Sequence, residues 1–421
     1  MLAENPSKYR IIVVGGGPVG LLSALGLVSQ GHETVLITPQ PGTAADNRTA
    51  ALFLPSLTLL ESLGVFAGCR AVSAPLKGIR IIDDRGGLLR APEVLFSASE
   101  IGAGHFGLNI PNAALNAATR ARLQLCAKRL TWIEGHSVTA VTPGGADIAV
   151  TLSDGRVIRG ALVIGADGRQ SICRAGAQIA ERTHRYDQVA VTATFTHQRP
   201  HDGISTEFHG PAGPCTTVPL PGRASSLVWV ERPALAARLR DMDDGQFIAA
   251  LERRLQGLLG PVSPVTARGM FPLSWMKAET TAARRVMLVG EAAHVMPPIG
   301  AQGLNLGLRD VGFMIDCVRD AAVSGRDPGG VETLAAYNKS RAGDITMRMT
   351  AVDGLNRSLL TDFMGVHLAR GLGLHLVAAS ARLRRELIAR GIQPDGGLPK
   401  LMLRPAHAEA SDLDATASRL A

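Results

Sequence analysis

Three closely spaced glycines near the start of the chain carry the first chemical signal. Gly15, Gly17 and Gly20 follow an apolar run and precede a segment whose leucines recur at helical spacing. In a strand–turn–helix unit the first glycine permits a tight turn, the second lets a pyrophosphate approach the backbone, and the third lets the helix pack closely on the strand. A second apolar strand at residues 33–38 completes the βαβ unit. The spacing therefore predicts a site for an anionic dinucleotide.

One residue type that such sites use is missing from the sequence. A carboxylate that binds the adenosine ribose is expected about 20 residues further on, where this chain has Thr38. Two alternatives stay open. Either the Thr38 hydroxyl and nearby backbone groups bind the ribose, or the loop that contains Pro39, Pro41 and Gly42 folds back to do so.

Two further motifs also follow apolar runs that predict strands. Asp167 and Gly168 end the first of these runs, where a buried carboxylate needs a partner, although a plain Asp-Gly turn would also explain them. Glu291 and His294 follow the second run. Paired prolines and two glycines behind them predict a loop over residues 294–303, because such residues disrupt a helix interior.

These three motifs, in this order and at these distances, resemble those of the aromatic-ring flavin monooxygenases of the para-hydroxybenzoate hydroxylase superfamily. The resemblance covers nearly the whole chain. Residues 46–52, 63–65 and 300–310 look most like the flavin hydroxylases of ubiquinone biosynthesis, and residues 289–300 are similar to their alphaproteobacterial branch. The resemblance implies FAD as the cofactor, with NADH or NADPH as co-substrate.

Carried over by position, the resemblance also implies which residues bind FAD. Arg48 corresponds to an arginine near the pyrophosphate, and Asn112 to an amide near the ribityl chain. Asp167 would serve both FAD and the nicotinamide nucleotide, and Glu291 stands where most members have Asp. The complete cofactor-binding set is Gly15, Gly17, Gly20, Arg48, Asn112, Asp167, Glu291, Gly303, Leu304 and Asn305. The last three would offer backbone N–H groups to the flavin pyrimidine edge.

Two residues are implied as catalytic. Pro298 matches a proline beside the reactive edge of the flavin ring, where its carbonyl could orient the oxidant, and His294 is a candidate for proton transfer. Each position also has a structural alternative. Pro298 could shape the loop and His294 could brace it, Arg48 could be a surface arginine, and Asn112 could cap a helix.

The implied function is FAD-dependent hydroxylation of an aromatic ring. NAD(P)H reduces the flavin, dioxygen adds to it, and a flavin hydroperoxide oxidises a polyprenylated phenol or benzoquinol intermediate of ubiquinone biosynthesis. One alternative is a hydroxylase of a small soluble aromatic acid, which would need a buried cation, with Arg223 the nearest candidate. The other is a non-catalytic flavin-binding scaffold of a biosynthetic complex.

These residues require an α/β fold. We expect a Rossmann-like FAD-binding domain made of residues 1–80, 102–180 and 275–345. An inserted substrate domain, residues 81–101 and 181–274, contains an antiparallel sheet, and residues 346–404 form C-terminal helices before a tail at 405–421. Gly371 and Gly373 could mark a break between two of these helices. The candidates for the inner face of the sheet are Phe208, Thr217, Pro219 and Trp229.

Composition limits the partners. The 421 residues carry a net charge of +8 that is spread along the chain without an arginine-rich run, so nucleic acid is not expected. No apolar stretch reads as a signal peptide or a membrane span, which predicts a cytoplasmic protein. An apolar stripe within residues 355–390, followed by Arg382, Arg384, Arg385 and Arg390, predicts peripheral contact with the inner face of the cell membrane. Other enzymes of ubiquinone biosynthesis are further expected partners.

Overall fold

A computed structural model describes residues 10–40, 46–85, 91–361, 364–392 and 397–403. Its strands are β1 Ile11–Val14, β2 Thr34–Thr38, β3 Thr49–Phe53, β4 Ala74–Pro75, β5 Gly78–Asp83, β6 Val94–Ser97, β7 Gly107–Pro111, β8 Leu130–Glu134, β9 Val138–Pro143, β10 Ile148–Leu152, β11 Val157–Gly160, β12 Leu162–Gly165, β13 Glu181–His197, β14 Ile204–Gly210, β15 Gly213–Leu220, β16 Ala224–Glu231, β17 Val262–Val265, β18 Gly269–Ala278, β19 Ala282–Ala283, β20 Val286–Leu288 and β21 His294–Val295. Its α-helices are α1 Pro18–Ser29, α2 Leu54–Ser62, α3 Asn112–Gln124, α4 Ile172–Gly176, α5 Pro233–Asp241, α6 Asp244–Arg254, α7 Gln302–Val323, α8 Val331–Leu360, α9 Met364–Ala379 and α10 Ala381–Ile392.

A six-stranded sheet forms the centre of the first layer, in the order β19-β20-β12-β1-β2-β8. All neighbours except β19 run parallel. The inner strands are almost continuously apolar because both faces are covered, one by α1 and α7 and the other by the small sheet β11-β10-β9 together with α4. Val14 pairs with Gly165, and Gly165 with Leu288. The three sequence motifs therefore leave the sheet side by side, at the carboxyl ends of neighbouring strands, where open α/β sheets bind ligands.

The second layer is a nine-stranded sheet with the path β21-β18-β13-β16-β15-β14-β5-β6, and β17 pairs with β13. Its central strands are antiparallel, as expected, whereas β14 pairs in parallel with β5. Helices α5 and α6 pack on one of its faces. The expected α/β fold is confirmed. The exact domain boundaries stay a prediction, and the tail at 405–421 lies outside the described residues.

The alternation of side chains along this sheet corrects one expectation. Phe208 and Trp229 lie in the core beneath α6, where the Trp229 ring is 6.3 Å from that of Phe247. Their sequence neighbours face the other side of the sheet instead. Assigning Phe208 and Trp229 to the substrate side was wrong, because a shift of one residue along a strand exchanges its two faces.

The C-terminal helices pack against the edge strands of this second sheet. Asp83 accepts a hydrogen bond of 3.0 Å from Arg370 of α9, and Glu100 accepts one of 2.9 Å from Arg384 of α10. Helix α9 continues through both glycines at 371 and 373, so the break expected there is wrong. The two helices separate at Ser380, whose hydroxyl accepts a hydrogen bond of 3.2 Å from the Leu383 N–H. None of the described helices is both long enough and apolar enough to cross a membrane.

Candidate active site

The glycine turn after β1 is built for close backbone approach. Gly15 has a φ of +130°, and a Cβ there would lie 2.1 Å from the Ala166 carbonyl oxygen. A Cβ at Gly20 would lie 2.2 Å from the Gly15 carbonyl oxygen, which explains both glycines. Gly17 is the N-cap of α1, has open space where a Cβ would be, and leaves the helix without a side-chain cap. The N-terminal N–H groups of α1 are thus available to an anion.

A cavity of about 470 Å³ lies between this turn, the loop before α7 and the second sheet. Most predicted site residues line it: Gly17, Gly20, Arg48, Asn112, Glu291, His294, Pro298, Gly303 and Leu304. Gly15, Asp167 and Asn305 do not. Gly15 supports the turn from behind, and the other two have structural partners described below.

A second helix N-terminus also reaches the cavity. The predicted loop is shorter than expected, because β21 includes His294 and Val295 and α7 already begins at Gln302. Gly300 and Ala301 both have positive φ, +63° and +54°, and no side chain caps α7. Asn305 is buried, and its amide bonds to backbone groups of the β3 and Ala301 segments. Its side chain therefore fixes the start of α7, while Gly303 and Leu304 face the cavity.

Arg48 lies beside the cavity within a small charged group. Its Nε donates to Asp46 Oδ1 at 2.7 Å, and its guanidinium stands 5.1 Å from the centre of the Phe271 ring. The hydrogen bond from Arg48 to Asp46 raises the pKa of Arg48. Burial favours a higher pKa for Asp46, but the hydrogen bonds and charge of Arg48 lower it overall. Sequence reasoning missed Asp46, although it stands two residues before the arginine.

Asn112 does not cap a helix. It is the first residue of α3, and the N-cap is Pro111. Its Nδ2 lies 3.4 Å from Asp46 Oδ2, whereas its buried Oδ1 has no hydrogen-bond partner among the described residues. A buried amide oxygen without a donor is costly, so this atom indicates a ligand donor in the cavity.

Asp167 has its carboxylate committed to local structure. Its Oδ1 accepts from the Ser171 hydroxyl at 2.6 Å, and its Oδ2 accepts from the Cys173 N–H at 3.0 Å. The carboxylate thus holds the start of the short helix α4. Ala166, Gly168 and Arg169, rather than Asp167 itself, line the cavity.

Glu291 is paired in the structure. Both of its oxygens lie 3.2 Å from Arg169 nitrogens, and both side chains are about half exposed. Thr38, the residue at the place of the missing ribose carboxylate, is completely buried. Its hydroxyl accepts a hydrogen bond of 3.1 Å from Trp132 Nε1. Pro41 and Gly42, which belong to the alternative ribose-binding loop, lie outside the described residues.

His294 belongs to a buried charge network that sequence reasoning missed. Its Nε2 lies 2.6 Å from Asp310 Oδ2, which also accepts from the Gly290 N–H at 2.9 Å. Arg341 Nε donates to the other oxygen of Asp310 at 2.7 Å. Burial alone would raise the pKa of Asp310, but the charges of His294 and Arg341 lower it overall.

The network continues through Asp344 on α8. Its carboxylate accepts hydrogen bonds from Arg309, Arg341 and Arg348 at 2.8, 3.1 and 2.8 Å. Burial opposes ionisation, but these three guanidinium charges lower the pKa of Asp344 to about 2. Residues 341, 344 and 348 follow one another at intervals of three and four, so they share one helix face. That spacing was the signal available in the sequence.

The substrate side of the cavity is formed by the second sheet. Its lining residues are mostly neutral and come largely from alternating positions, among them Ile79, Ala190, Thr192, Ser205, Glu207, Thr216, Val218, Ser226, Val228, Phe271 and Leu273. Thr217 and Pro219, also expected on this face, do not line the cavity. Arg223 lies on an exposed turn and donates to the Gln198 carbonyl at 2.9 Å, so it is not the cation that an aromatic acid would need.

Comparison with known proteins agrees with this geometry. The chain is 37% identical over 380 residues to ubiquinone hydroxylase UbiL of Rhodospirillum rubrum, with 89% of this chain and 87% of the relative covered. It is 30% identical over 395 residues to 3-demethoxyubiquinol 3-hydroxylase of Escherichia coli K12, with 92% and 98% covered. The structure of p-nitrophenol 4-monooxygenase PnpA from Pseudomonas putida DLL-E4 matches with a TM-score of 0.75 at 17% identity, covering 93% of this chain and 98% of that one.

A family model described as an FAD binding domain matches residues 8–347. The resemblance inferred from the motifs is therefore confirmed, and with it FAD as the cofactor. Two uncapped helix N-termini, a glycine turn open to solvent and an unpartnered amide oxygen fit that cofactor. The chain belongs to the FAD binding domain family of flavin-dependent monooxygenases.

Proposed function

We propose that this protein hydroxylates the aromatic ring of a polyprenylated phenol or benzoquinol in ubiquinone biosynthesis. The observation that carries the proposal is the character of the cavity wall opposite the glycine turns. Among the described residues, no arginine or lysine from β5 or from β13 to β18 lines the cavity. A ring carboxylate would have no counter-charge there, whereas a neutral ring with an apolar chain would meet hydroxyl and aliphatic groups.

Each side of the cavity has its own task in this proposal. The N-terminus of α1 and Arg48 bind the pyrophosphate, and the N–H groups of Gly303 and Leu304 stabilise negative charge at the flavin pyrimidine edge. FAD, once reduced by NADH or NADPH, supplies the activation of dioxygen. We assign Pro298 to the reactive edge, because it is exposed in the loop that lines the cavity.

For His294 the geometry favours support over proton transfer. Its side chain is 1% exposed, and its Nε2 is held by Asp310. We therefore propose that it braces the loop that carries Pro298. The carboxylate of Asp167 is proposed to act on FAD indirectly, by fixing the turn whose neighbours line the cavity.

The experiment that tests the proposed function is an assay of NAD(P)H oxidation with purified FAD-loaded protein. A 2-polyprenylphenol should stimulate oxidation and yield a ring-hydroxylated product, whereas 4-hydroxybenzoate should not. Stimulation by the benzoate alone would favour the aromatic-acid hydroxylase. An absence of stimulation by either compound would favour the scaffold. In a deletion strain, accumulation of a ubiquinone precursor that lacks one ring hydroxyl would identify the position.

We further propose that α9 and α10 bring the enzyme to the membrane that dissolves its substrate. Leu372 and Leu376 of α9 are 62% and 56% exposed, which places an apolar surface on the outside of the helix pair. Arg382, Arg385 and Arg390 of α10 are exposed beside it. Arg384 was expected to join them, but it contacts Glu100 within the protein. Phe363, part of the expected stripe, lies outside the described residues.

A further inference from the structure

One ionisable side chain on the substrate side of the cavity has no task in the proposed function. Glu207 lies on β14, is 8% exposed and lines the cavity beside Ser205 and Thr216. A buried carboxylate is costly unless a cation or hydrogen-bond donors compensate for its lost hydration. A neutral or apolar residue would fill the same place on the wall without that cost.

The described residues give Glu207 little compensation. Its Oε2 lies 3.3 Å from Nε2 of His209, which is the residue two positions along the same strand. Its Oε1 has no hydrogen-bond partner there and is not sealed from the cavity. Two serine hydroxyls on this wall are engaged elsewhere, since Ser205 donates to the Thr217 carbonyl and Ser226 contacts Thr49. One oxygen of this carboxylate is thus left for a donor that enters the cavity.

The substrate class of the proposed function carries such a donor. A phenol or hydroquinol hydroxyl is neutral, acidic enough to donate strongly to a carboxylate, and attached to the ring that must be oriented. A ring carboxylate would instead be repelled by Glu207. The same side chain can therefore select for one substrate class and against the other.

Resting on the proposed function, we infer that Glu207 determines substrate specificity: its carboxylate accepts a hydrogen bond from the ring hydroxyl of the substrate, with His209 holding its other oxygen. The hydroxyl fixes the position of the ring in the cavity. Compounds without this hydroxyl, or with a carboxylate in its place, are rejected.

The test compares a 2-polyprenylphenol with its O-methyl ether, which has the same ring and chain but no donor. Dissociation constants are measured through changes in the absorbance of bound FAD. The wild type should bind the phenol at least about tenfold more tightly than the ether, because hydrogen bonds to charged groups contribute roughly 1.5–3 kcal/mol. Glu207→Leu should remove this preference. Glu207→Gln should reduce it and should also weaken the rejection of benzoate, which has a carboxylate in place of the hydroxyl.

Two controls separate recognition from folding. FAD content and circular dichroism report whether each variant folds. If Glu207→Leu does not fold, Glu207→Gln still tests the inference, because glutamine is polar and has the same shape as glutamate. Glu231→Gln alters a carboxylate on the opposite face of the sheet, beside Trp229, and should keep the phenol preference.

The outcomes distinguish this inference from the proposed function. If the wild type responds to the phenol and a folded Glu207 variant keeps the full preference over the ether, the inference is overturned and the proposed function stands. If the wild type neither binds nor hydroxylates the phenol, the proposed function is wrong, and the inference that rests on it is wrong as well.

Discussion

At the scale of single residues, Gly15 gives the sharpest prediction. Gly15→Val would place a Cβ 2.1 Å from the Ala166 carbonyl oxygen, at a φ of +130° that L residues rarely adopt. We expect the purified variant to retain little or no FAD, as measured by flavin absorbance per protein. Gly145→Ala is a matched control, since a Cβ there would meet no atom of the described residues within 4 Å. A yellow Gly15→Val protein with full FAD content would contradict this placement of the pyrophosphate.

Glu291→Asp should be tolerated. The shorter side chain restores the residue that is more common in the family and weakens the contact with Arg169. That pair is about half exposed, so its loss should cost no more than about 1 kcal/mol. We expect FAD affinity, measured by titration of the apoprotein, to stay within about threefold of the wild type. Arg169→Gln is the matched comparison, because it removes the same ion pair by changing the other partner. Loss of FAD in the aspartate variant alone would show that the cavity requires the longer acid.

Single residues were predictable where chemistry follows from local spacing. The glycine turn after β1 and the loop before α7 were predicted, because their residue types and spacing are visible in a short stretch of sequence. Asp46, Asp310 and Glu207 were missed because their partners or their cavity-facing side come from tertiary packing. Glu207 also sits one position from Phe208, and without the strand register the two faces of β14 could not be told apart.

At the scale of elements, the pairing of α7 with α8 depends on buried charge. Asp344 has a pKa near 2, below its ordinary value of 3.8. A carboxylate whose pKa is lower in the folded state stabilises the protein above its ordinary pKa, and this contribution is lost as pH falls towards the lowered value. The difference corresponds to about 2 kcal/mol. We therefore expect the free energy of unfolding to fall below about pH 4, measured by urea titration of the FAD-loaded protein.

Asp344→Asn provides the matching comparison. Near neutral pH it should lose about 3–5 kcal/mol, because buried Arg309 and Arg348 lose their carboxylate partner and Arg341 keeps only Asp310. Between about pH 4 and pH 3 it should then change less than the wild type, since one titrating group is gone. An identical acid response in both proteins would assign the titration to other carboxylates.

Elements were predicted well where periodicity and spacing determined them, as for the βαβ unit at the start of the chain. The break between α9 and α10 was placed wrongly because glycine is a weaker helix terminator than a well-placed cap. Gly371 and Gly373 have open space and stay helical, whereas the Ser380 hydroxyl accepts from the first turn of α10.

At the scale of the whole molecule, the prediction concerns attachment to lipid. Three exposed arginines near an anionic surface contribute about 1 kcal/mol each, together about 3 kcal/mol, and salt weakens this attraction. Co-sedimentation with phosphatidylserine-containing vesicles should therefore decrease with salt. It should decrease again in the triple variant Arg382→Gln, Arg385→Gln and Arg390→Gln.

Arg384→Gln is the control for this experiment, because Arg384 contacts Glu100 rather than solvent. It should leave vesicle binding largely intact while increasing hydrogen exchange in α10. If neither added salt nor the triple substitution decreases vesicle binding, delivery of the substrate by another protein would be favoured.

The global arrangement was only partly predictable. The order of the central sheet follows from the βαβ rules and the three motifs. The docking of α9 and α10 on the second sheet does not, since Arg370 and Asp83 are far apart in the chain and neither has a local signature.

Arg348 joins the two ends of this arrangement. Besides contacting Asp344, its guanidinium donates to the Gln302 side chain at the start of α7 and to the Gly391 carbonyl in α10. FAD at the start of α7 and lipid at α10 would therefore act on the two ends of one series of hydrogen bonds through Arg348. Thermodynamic linkage is reciprocal, so if a lipid surface orders α10 and thereby tightens FAD binding, FAD must strengthen lipid binding by the same factor. A newly made chain without FAD would then bind lipid more weakly by that factor, and acquiring its cofactor would shift it towards the membrane.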